Sequence, residues 1–158
     1  MVVDHQIIVG MSPSKSYTSK NGEVPCGDRD LYAFLTDIRN FKEVMPASML
    51  SDWKATTDKC SFRLDKAGRV SVSLKEALPH TMVSYTAENL FTGNLSLKVI
   101  IEPLTSHRSK LYITTDINMN PFVRMFIGEA TSQYLDKLID MIENYKGYDK
   151  IRGYSQSL

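Results

Sequence analysis

Apolar and polar residues alternate with a period of two along most of the chain between residues 53 and 117. This spacing places every second side chain on the same face of a β-strand. Turn-forming sequences such as Thr92-Gly93-Asn94 separate the alternating segments, and the pattern predicts six strands in an antiparallel meander with one buried face. The residues predicted to mark one face of each strand are Trp53 and Ala55; Cys60, Phe62 and Leu64; Val70, Val72 and Leu74; Val83, Tyr85 and Ala87; Leu95, Leu97, Val99 and Ile101; and Leu111, Ile113, Thr115 and Ile117.

The segment before the meander combines a strand with two short helices. Residues 15–24 contain β-prone side chains interrupted by Asn21-Gly22, which predicts a first strand with a bend or bulge. Leu31, Phe34, Leu35 and Ile38 then fall on one face of a helix. A second helical turn over residues 40–45 ends before Pro46.

The longest helical pattern runs from Asn120 to Lys146. Asn120-Pro121 favours a helix start and Gly147 favours an end. The apolar half of this helix is the only long candidate to cover the buried face of the sheet. We expect a single domain over residues 15–146, a loose arm over residues 1–14 with a short strand at residues 6–9, and a poorly ordered tail over residues 147–158.

Composition narrows the class of protein. The 158 residues suffice for one domain with a core, and 19 basic against 18 acidic residues give a net charge of +1, without the basic surface of a nucleic-acid binder. No apolar run approaches the roughly 20 residues of a membrane span, and no secretion signal is evident. We therefore expect a cytoplasmic protein without stable membrane insertion. Cys26 and Cys60 are predicted to be free thiols.

Catalytic and metal-binding patterns are missing from the sequence. His5, His80 and His107 have no second ligand at metal-binding spacing, and no nucleophile motif or phosphate-binding glycine loop occurs. We predict no catalytic residue, no metal and no cofactor. The question of catalysis stays open, with a binding protein favoured over an enzyme.

Two charged residues could make polar contacts with a ligand. Strict alternation from Val70 through Leu74 would turn Glu76 inward, where burial would raise its pKa, but a bulge or strand end before Pro79 would turn it to solvent, which we favour. Arg124, on the first turn of the last helix, could close a pocket mouth against an anionic head group. A solvated guanidinium is the favoured alternative.

This order of elements resembles the helix-grip fold of the START-like (SRPBCC) superfamily, which includes polyketide cyclases, coenzyme Q-binding proteins and lipid-transfer domains. The most specific stretch is LYAFLTDIRNF at residues 31–41, followed by Met45-Pro46, which resembles the superfamily's signature for its two grip helices. Asn120-Pro121-Phe122 resembles bacterial members, and the whole chain resembles small START-like proteins of Bacteroidetes. The resemblance implies an α+β fold in which a curved antiparallel sheet of about seven strands, with two short helices after strand 1, wraps around the C-terminal helix.

The resemblance also implies a cavity between the sheet and the last helix. Within that helix the small residues Gly128 and Thr131 are predicted to leave room for a ligand. For any one of these predicted wall residues, ordinary core packing is favoured over ligand contact. The predicted cavity lining is Trp53, Phe62, Val72, Leu74, Tyr85, Leu97, Val99, Ile113, Ile127, Gly128, Thr131, Tyr134 and Leu138.

Three functions remain open at this point. The first is binding or transport of a small hydrophobic, lipid- or polyketide-like molecule. The second is an enzyme of the cyclase or dehydrase type, in which Tyr85, Tyr134, Thr131 and Glu76 would steer a reactive chain. The third is a protein-interaction module, as co-chaperone-like relatives of the fold suggest, with a filled core. The sequence identifies neither the ligand nor a protein partner.

Overall fold

The computed structural model describes residues 14–47, 50–64, 68–90, 93–118 and 121–151, without the side chains of residues 14, 15, 90, 93, 118 and 121–130. Residues 1–13 of the predicted N-terminal arm and residues 152–158 lie outside this description. In chain order the elements are β1 (Ser14–Thr18), β2 (Gly22–Val24), α1 (Asp28–Leu35), a 3-10 turn (Ile38–Asn40), α2 (Phe41–Val44), β3 (Ser51–Ala55), β4 (Lys59–Leu64), β5 (Gly68–Leu78), β6 (Met82–Leu90), β7 (Gly93–Thr105), β8 (Arg108–Asn118), α3 (Pro121–Asn144) and α4 (Tyr148–Ile151).

All the strands join one antiparallel sheet in the order β1-β8-β7-β6-β5-β4-β3, and β2 also pairs with β8. The predicted bent first strand is therefore confirmed as two short strands along the same neighbour, with Thr18 opposite Thr114 and Gly22 opposite Leu111. Ser19 lies at the bend and exchanges two hydrogen bonds of 2.8 Å with the backbone of Ile113. These bonds hold the chain on β8 while it changes direction.

Both α1 and α3 pack on the inner face of the sheet, whereas the sequence predicts this only of the last helix. The helix α1 buries Leu31, Phe34 and Leu35 against β6, β7 and β8 because these side chains share one helical face. The C-terminal half of α3 buries Leu135 and Ile139 against β1, β2 and β8. The fold is the α+β helix-grip arrangement, a sheet wrapped around a long C-terminal helix.

A row of carboxylates fixes α3 to the bend between β1 and β2. The backbone amide of Lys20 donates to Asp136 at 2.7 Å, and its ammonium group donates to Asp140 at 2.5 Å. One helical turn further on, Glu143 accepts a hydrogen bond of 2.8 Å from the backbone amide of Glu23. These three acids recur at helical spacing and therefore lie on one side of α3.

The expectation of a poorly ordered tail from residue 147 is wrong for Tyr148–Ile151. These residues form α4, and Tyr148 and Ile151 are buried in the core. The Tyr148 hydroxyl donates to the backbone oxygen of Ile142 at 2.6 Å, and its ring lies 4.9 Å from that of Tyr145. The single helical turn brings Tyr148 and Ile151 to the same side, so the domain extends at least to Ile151.

Candidate functional site

The apolar inner face of the sheet is buried to different degrees along its strands. Near α1, the row formed by Val83, Val99 and Ile113 is between 0% and 3% exposed. In the next row Leu74 and Leu97 lie opposite Tyr85 on the two neighbouring strands and point to the same inner face. Both are only half-buried. A wall of large apolar side chains is thus incompletely covered by the described residues.

The half-buried wall continues onto the neighbouring rows. Val72 and Leu95 flank the buried Ala87, and both remain half-buried. Trp53 is also half-buried and stacks on Phe62 with a centroid distance of 6.1 Å. We call these partly covered residues the inner wall: Trp53, Val72, Leu74, Leu95 and Leu97. The sheet thus brings together all eight predicted lining residues from the strands, with Phe62, Tyr85, Val99 and Ile113 forming its more deeply buried floor.

The polar side chains on this face form hydrogen bonds with the backbone or carry no charge at neutral pH. The hydroxyl of Tyr85 donates to the backbone oxygen of Leu35 at 2.5 Å, and burial raises its pKa. The Thr115 hydroxyl donates to the backbone oxygen of Ser96 at 2.7 Å. Burial raises the pKa of the Cys60 thiol to about 11, against a smaller opposing effect of a hydrogen bond with the backbone of Val72. At neutral pH, therefore, neither Tyr85 nor Cys60 supplies an anion for proton abstraction or nucleophilic attack.

Glu76 does not point into the interior. The register of β5 against β6 shifts between Leu74, opposite Tyr85, and Glu76, opposite Ser84. This irregularity is a β-bulge that takes up Lys75, so Ala77 replaces Glu76 in the inward position, opposite Val83. Glu76 is exposed, as the favoured alternative of a bulge before Pro79 predicts, and it is not the inward polar contact that strict alternation would make it.

Tyr134 also lies outside the interior, contrary to its predicted place in the cavity lining. Its side chain is 63% exposed, with the ammonium group of Lys137 at 5.9 Å from the ring centroid. The buried stripe of α3 runs through Thr131, Leu135 and Ile139, and Tyr134 is rotated about 100° from Leu135. Tyr134 is therefore not a residue of the cavity lining.

The other predicted residues of the last helix all fall within α3. Thr131 is buried on the stripe that faces the sheet, and Leu138 is half-buried at its edge. The side chains of Arg124, Ile127 and Gly128 are outside the described part of the chain, so their roles stay predictions.

An open depression of about 510 Å³ lies where the end of α2 meets the end of α3. The sequence does not predict this depression, because its walls come from distant segments and because the residues from Gly147 onward predict a poorly ordered tail. Gly147 is the one local signal, since a Cβ atom there would overlap the Tyr145 ring. The lining residues are Glu43, Val44, Met45, Pro46, Met141, Asn144, Tyr145, Lys146, Gly147 and Lys150.

Other kinds of site find no support in the described residues. None of the described His, Cys, Asp and Glu side chains form a group of three or more that could hold a metal ion. No described helix combines the length and apolar character needed to cross a membrane. Cys26 and Cys60 are both buried, and neither forms a disulfide.

No protein-family model and no curated protein matches the sequence, but many solved structures share its fold. Norcoclaurine synthase from Thalictrum flavum aligns with a TM-score of 0.62 at 6% identity, over 83% of this chain and 87% of that one. A protein from Thermobifida fusca aligns with a TM-score of 0.57 at 11% identity, over 78% and 85% of the two chains.

A third similar structure is BexL, the di-domain ARO/CYC protein of the BE-7585A biosynthetic pathway. It aligns with a TM-score of 0.65 at 12% identity over 83% of this chain, which spans only 46% of the BexL chain. At these identities the likeness concerns the fold alone. The chain has the START-like (SRPBCC) helix-grip fold.

Proposed function

We propose that this protein binds a small hydrophobic ligand, lipid- or polyketide-like, in a cavity between the inner wall and α3. The observation that carries the proposal is the half-burial of Val72, Leu74, Leu95 and Leu97 on the inward face, beside the buried Tyr85. Apolar area left in contact with water costs about 25 cal/mol per Å². An apolar ligand seated on this wall would recover that free energy.

The shared fold lends the proposal further support. The norcoclaurine synthase structure was determined in complex with dopamine and hydroxybenzaldehyde, two small aromatic molecules. In that protein the fold accommodates such ligands. For the present chain the same architecture supports ligand binding as a class, and the apolar wall supports a ligand with a large apolar part.

Binding is favoured over a cyclase or dehydrase reaction by the chemistry of the wall. Within the described part of the chain, the inward hydroxyls of Tyr85 and Thr115 are bonded to backbone oxygens. Glu76, the acid that could have completed a polar set, is in solvent. An interaction module with a filled core would leave the half-burial of the inner wall without explanation.

The proposal is tested by filling the cavity from β5. Leu74→Trp adds bulk at the inner wall, whereas Leu78→Trp adds the same bulk on the same strand at a side chain that is 48% exposed. We expect Leu74→Trp to weaken binding of the neutral probe N-phenyl-1-naphthylamine, followed by its fluorescence, by about tenfold or more, since pocket shape discriminates on this scale. Leu78→Trp should bind like the wild type. Native mass spectrometry of the gently purified wild type should show a bound small molecule.

Equal probe binding by both variants would contradict the proposed site. Thermal unfolding of each variant serves as the folding control. Leu97→Phe, a smaller increase in volume across the same row, replaces Leu74→Trp if that variant does not fold.

A further inference from the structure

The open depression lies beside apolar side chains of both of its helices. On α2, Val44 lines the depression, and one turn earlier Phe41 packs on Tyr85 with a ring distance of 5.1 Å. On α3, Met141 lines the depression, and one turn earlier Leu138 packs against the core. Apolar side chains on α2 therefore lead from the depression toward Tyr85 beside the inner wall, and those on α3 lead from it into the core.

The rim of the depression is cationic. Lys146 and Lys150 line it, both are exposed, and neither makes an ion pair with a described residue. The Tyr145 ring lies against Phe34 at 5.3 Å. Burial and the nearby carboxylates of Glu43 and Asp149 raise the pKa of the Tyr145 hydroxyl, so it stays a neutral donor. Glu43 is the only carboxylate that lines the depression among the described residues, so the lining side chains carry an excess of one positive charge. The carboxylate of Asp149 acts on Tyr145 from beside the depression without lining it.

We propose that the ligand is an amphiphile with one anionic head group, a carboxylate in the simplest case, which lies between Lys146 and Lys150. This inference rests on the proposed function, because the apolar part of the molecule would occupy the cavity. A monoanion would balance the excess charge of the rim, and the ammonium groups would donate charge-assisted hydrogen bonds to it. The depression is then the opening of the cavity at which the head group is recognised.

The test compares two ligands that differ only in the head group. Dodecanoic acid and 1-dodecanol would compete with N-phenyl-1-naphthylamine at pH 7.5 and low ionic strength, where the acid is ionised in solution. We expect the acid to bind the wild type about tenfold more tightly than the alcohol, because two exposed ion pairs contribute on this scale.

Charge variants then locate the head group. The double variant Lys146→Gln/Lys150→Gln should bring the acid-to-alcohol affinity ratio close to one without changing the affinity for the alcohol. Lys137→Gln, an exposed cation elsewhere on α3, should leave the ratio unchanged. Glu43→Gln removes the opposing carboxylate and should raise the ratio by about twofold. In the wild type, 0.5 M NaCl should lower the ratio, which tests the same inference without a substitution.

The outcomes separate the two proposals. If neither ligand displaces the probe, the proposed function itself fails. If the acid and the alcohol compete equally well, the cavity stands and the head-group inference is wrong. If the double variant keeps the wild-type ratio, recognition of the anion occurs elsewhere and the assignment to Lys146 and Lys150 is overturned.

Discussion

At the scale of single residues, the hydroxyl of Tyr85 shows how a polar atom can lie in an apolar wall without being available for chemistry. It donates to the backbone oxygen of Leu35, the last residue of α1. Carbonyl groups in the last turn of a helix lack partners within the helix. Tyr85 satisfies one of them and thereby ties the end of α1 to the sheet.

Replacing Tyr85 with Phe should lower the free energy of unfolding by about 1 to 2 kcal/mol, because the substitution leaves a buried carbonyl oxygen without this donor. Urea denaturation followed by circular dichroism measures the change. Tyr112→Phe, at a half-buried tyrosine on β8, is the matched control and should change stability by less. Equal effects in the two variants would show that the hydrogen bond to Leu35 is not responsible.

The inward direction of Tyr85 could be predicted from the sequence, whereas its partner could not. Alternation with Val83 and Ala87 places the ring on the buried face, since strand periodicity is a local property. The acceptor Leu35 lies 50 residues earlier in the chain, and no local pattern links the two. For Glu76 the sequence favours an outward position, but the place of the bulge that causes it shows only in the pairing with β6.

At the scale of elements, the features that the sequence patterns do not predict, α4 and the open depression, lie at the ends of helices. The strands and α3 have long periodic stretches and could be predicted, but α4 is a single turn anchored by only Tyr148 and Ile151. Two residues do not establish a period. The depression was missed for a related reason, because it forms where the ends of α2 and α3 meet, about 100 residues apart in the sequence.

The packing of α4 predicts that Tyr148→Ala lowers the free energy of unfolding by about 3 kcal/mol or more, as expected for removing a buried aromatic side chain. Its ring contacts those of Phe34 and Tyr145, and its hydroxyl is bonded to Ile142. Urea denaturation measures the change. Asp149→Ala, at the exposed neighbour on α4, should be close to neutral. A neutral effect of Tyr148→Ala would show that α4 does not contribute to the core.

At the scale of the whole molecule, a buried thiol and two buried tyrosine hydroxyls hold their protons more tightly in the folded state than in the unfolded chain. Burial raises the pKa of Cys60, Tyr85 and Tyr148. A group whose pKa is higher in the folded state contributes full stability below its unfolded pKa and loses that contribution as the pH rises toward the folded value. These groups come from β4, β6 and α4, so the effect belongs to the core as a whole.

The free energy of unfolding should therefore decrease as the pH rises from 9 to 11, the interval between the ordinary and the raised pKa of the Cys60 thiol. Urea denaturation at pH 8, 9, 10 and 11 measures the profile. Cys60→Ala removes one titrating group and should show a smaller decrease over the same interval, even if its stability is lower throughout. Identical slopes for the two proteins would contradict the assignment to Cys60.

The bulge in β5 also bears on how the chain could change in length. One inserted residue normally exchanges the two faces of a strand, because successive side chains point in opposite directions. In β5 the extra residue Lys75 is held outside the pairing, so Leu74 stays opposite Tyr85 and Ala77 stays opposite Val83. A chain lacking Lys75 could keep both pairs in a regular strand. We therefore expect that loss of this one codon would leave every residue of the inner wall in place.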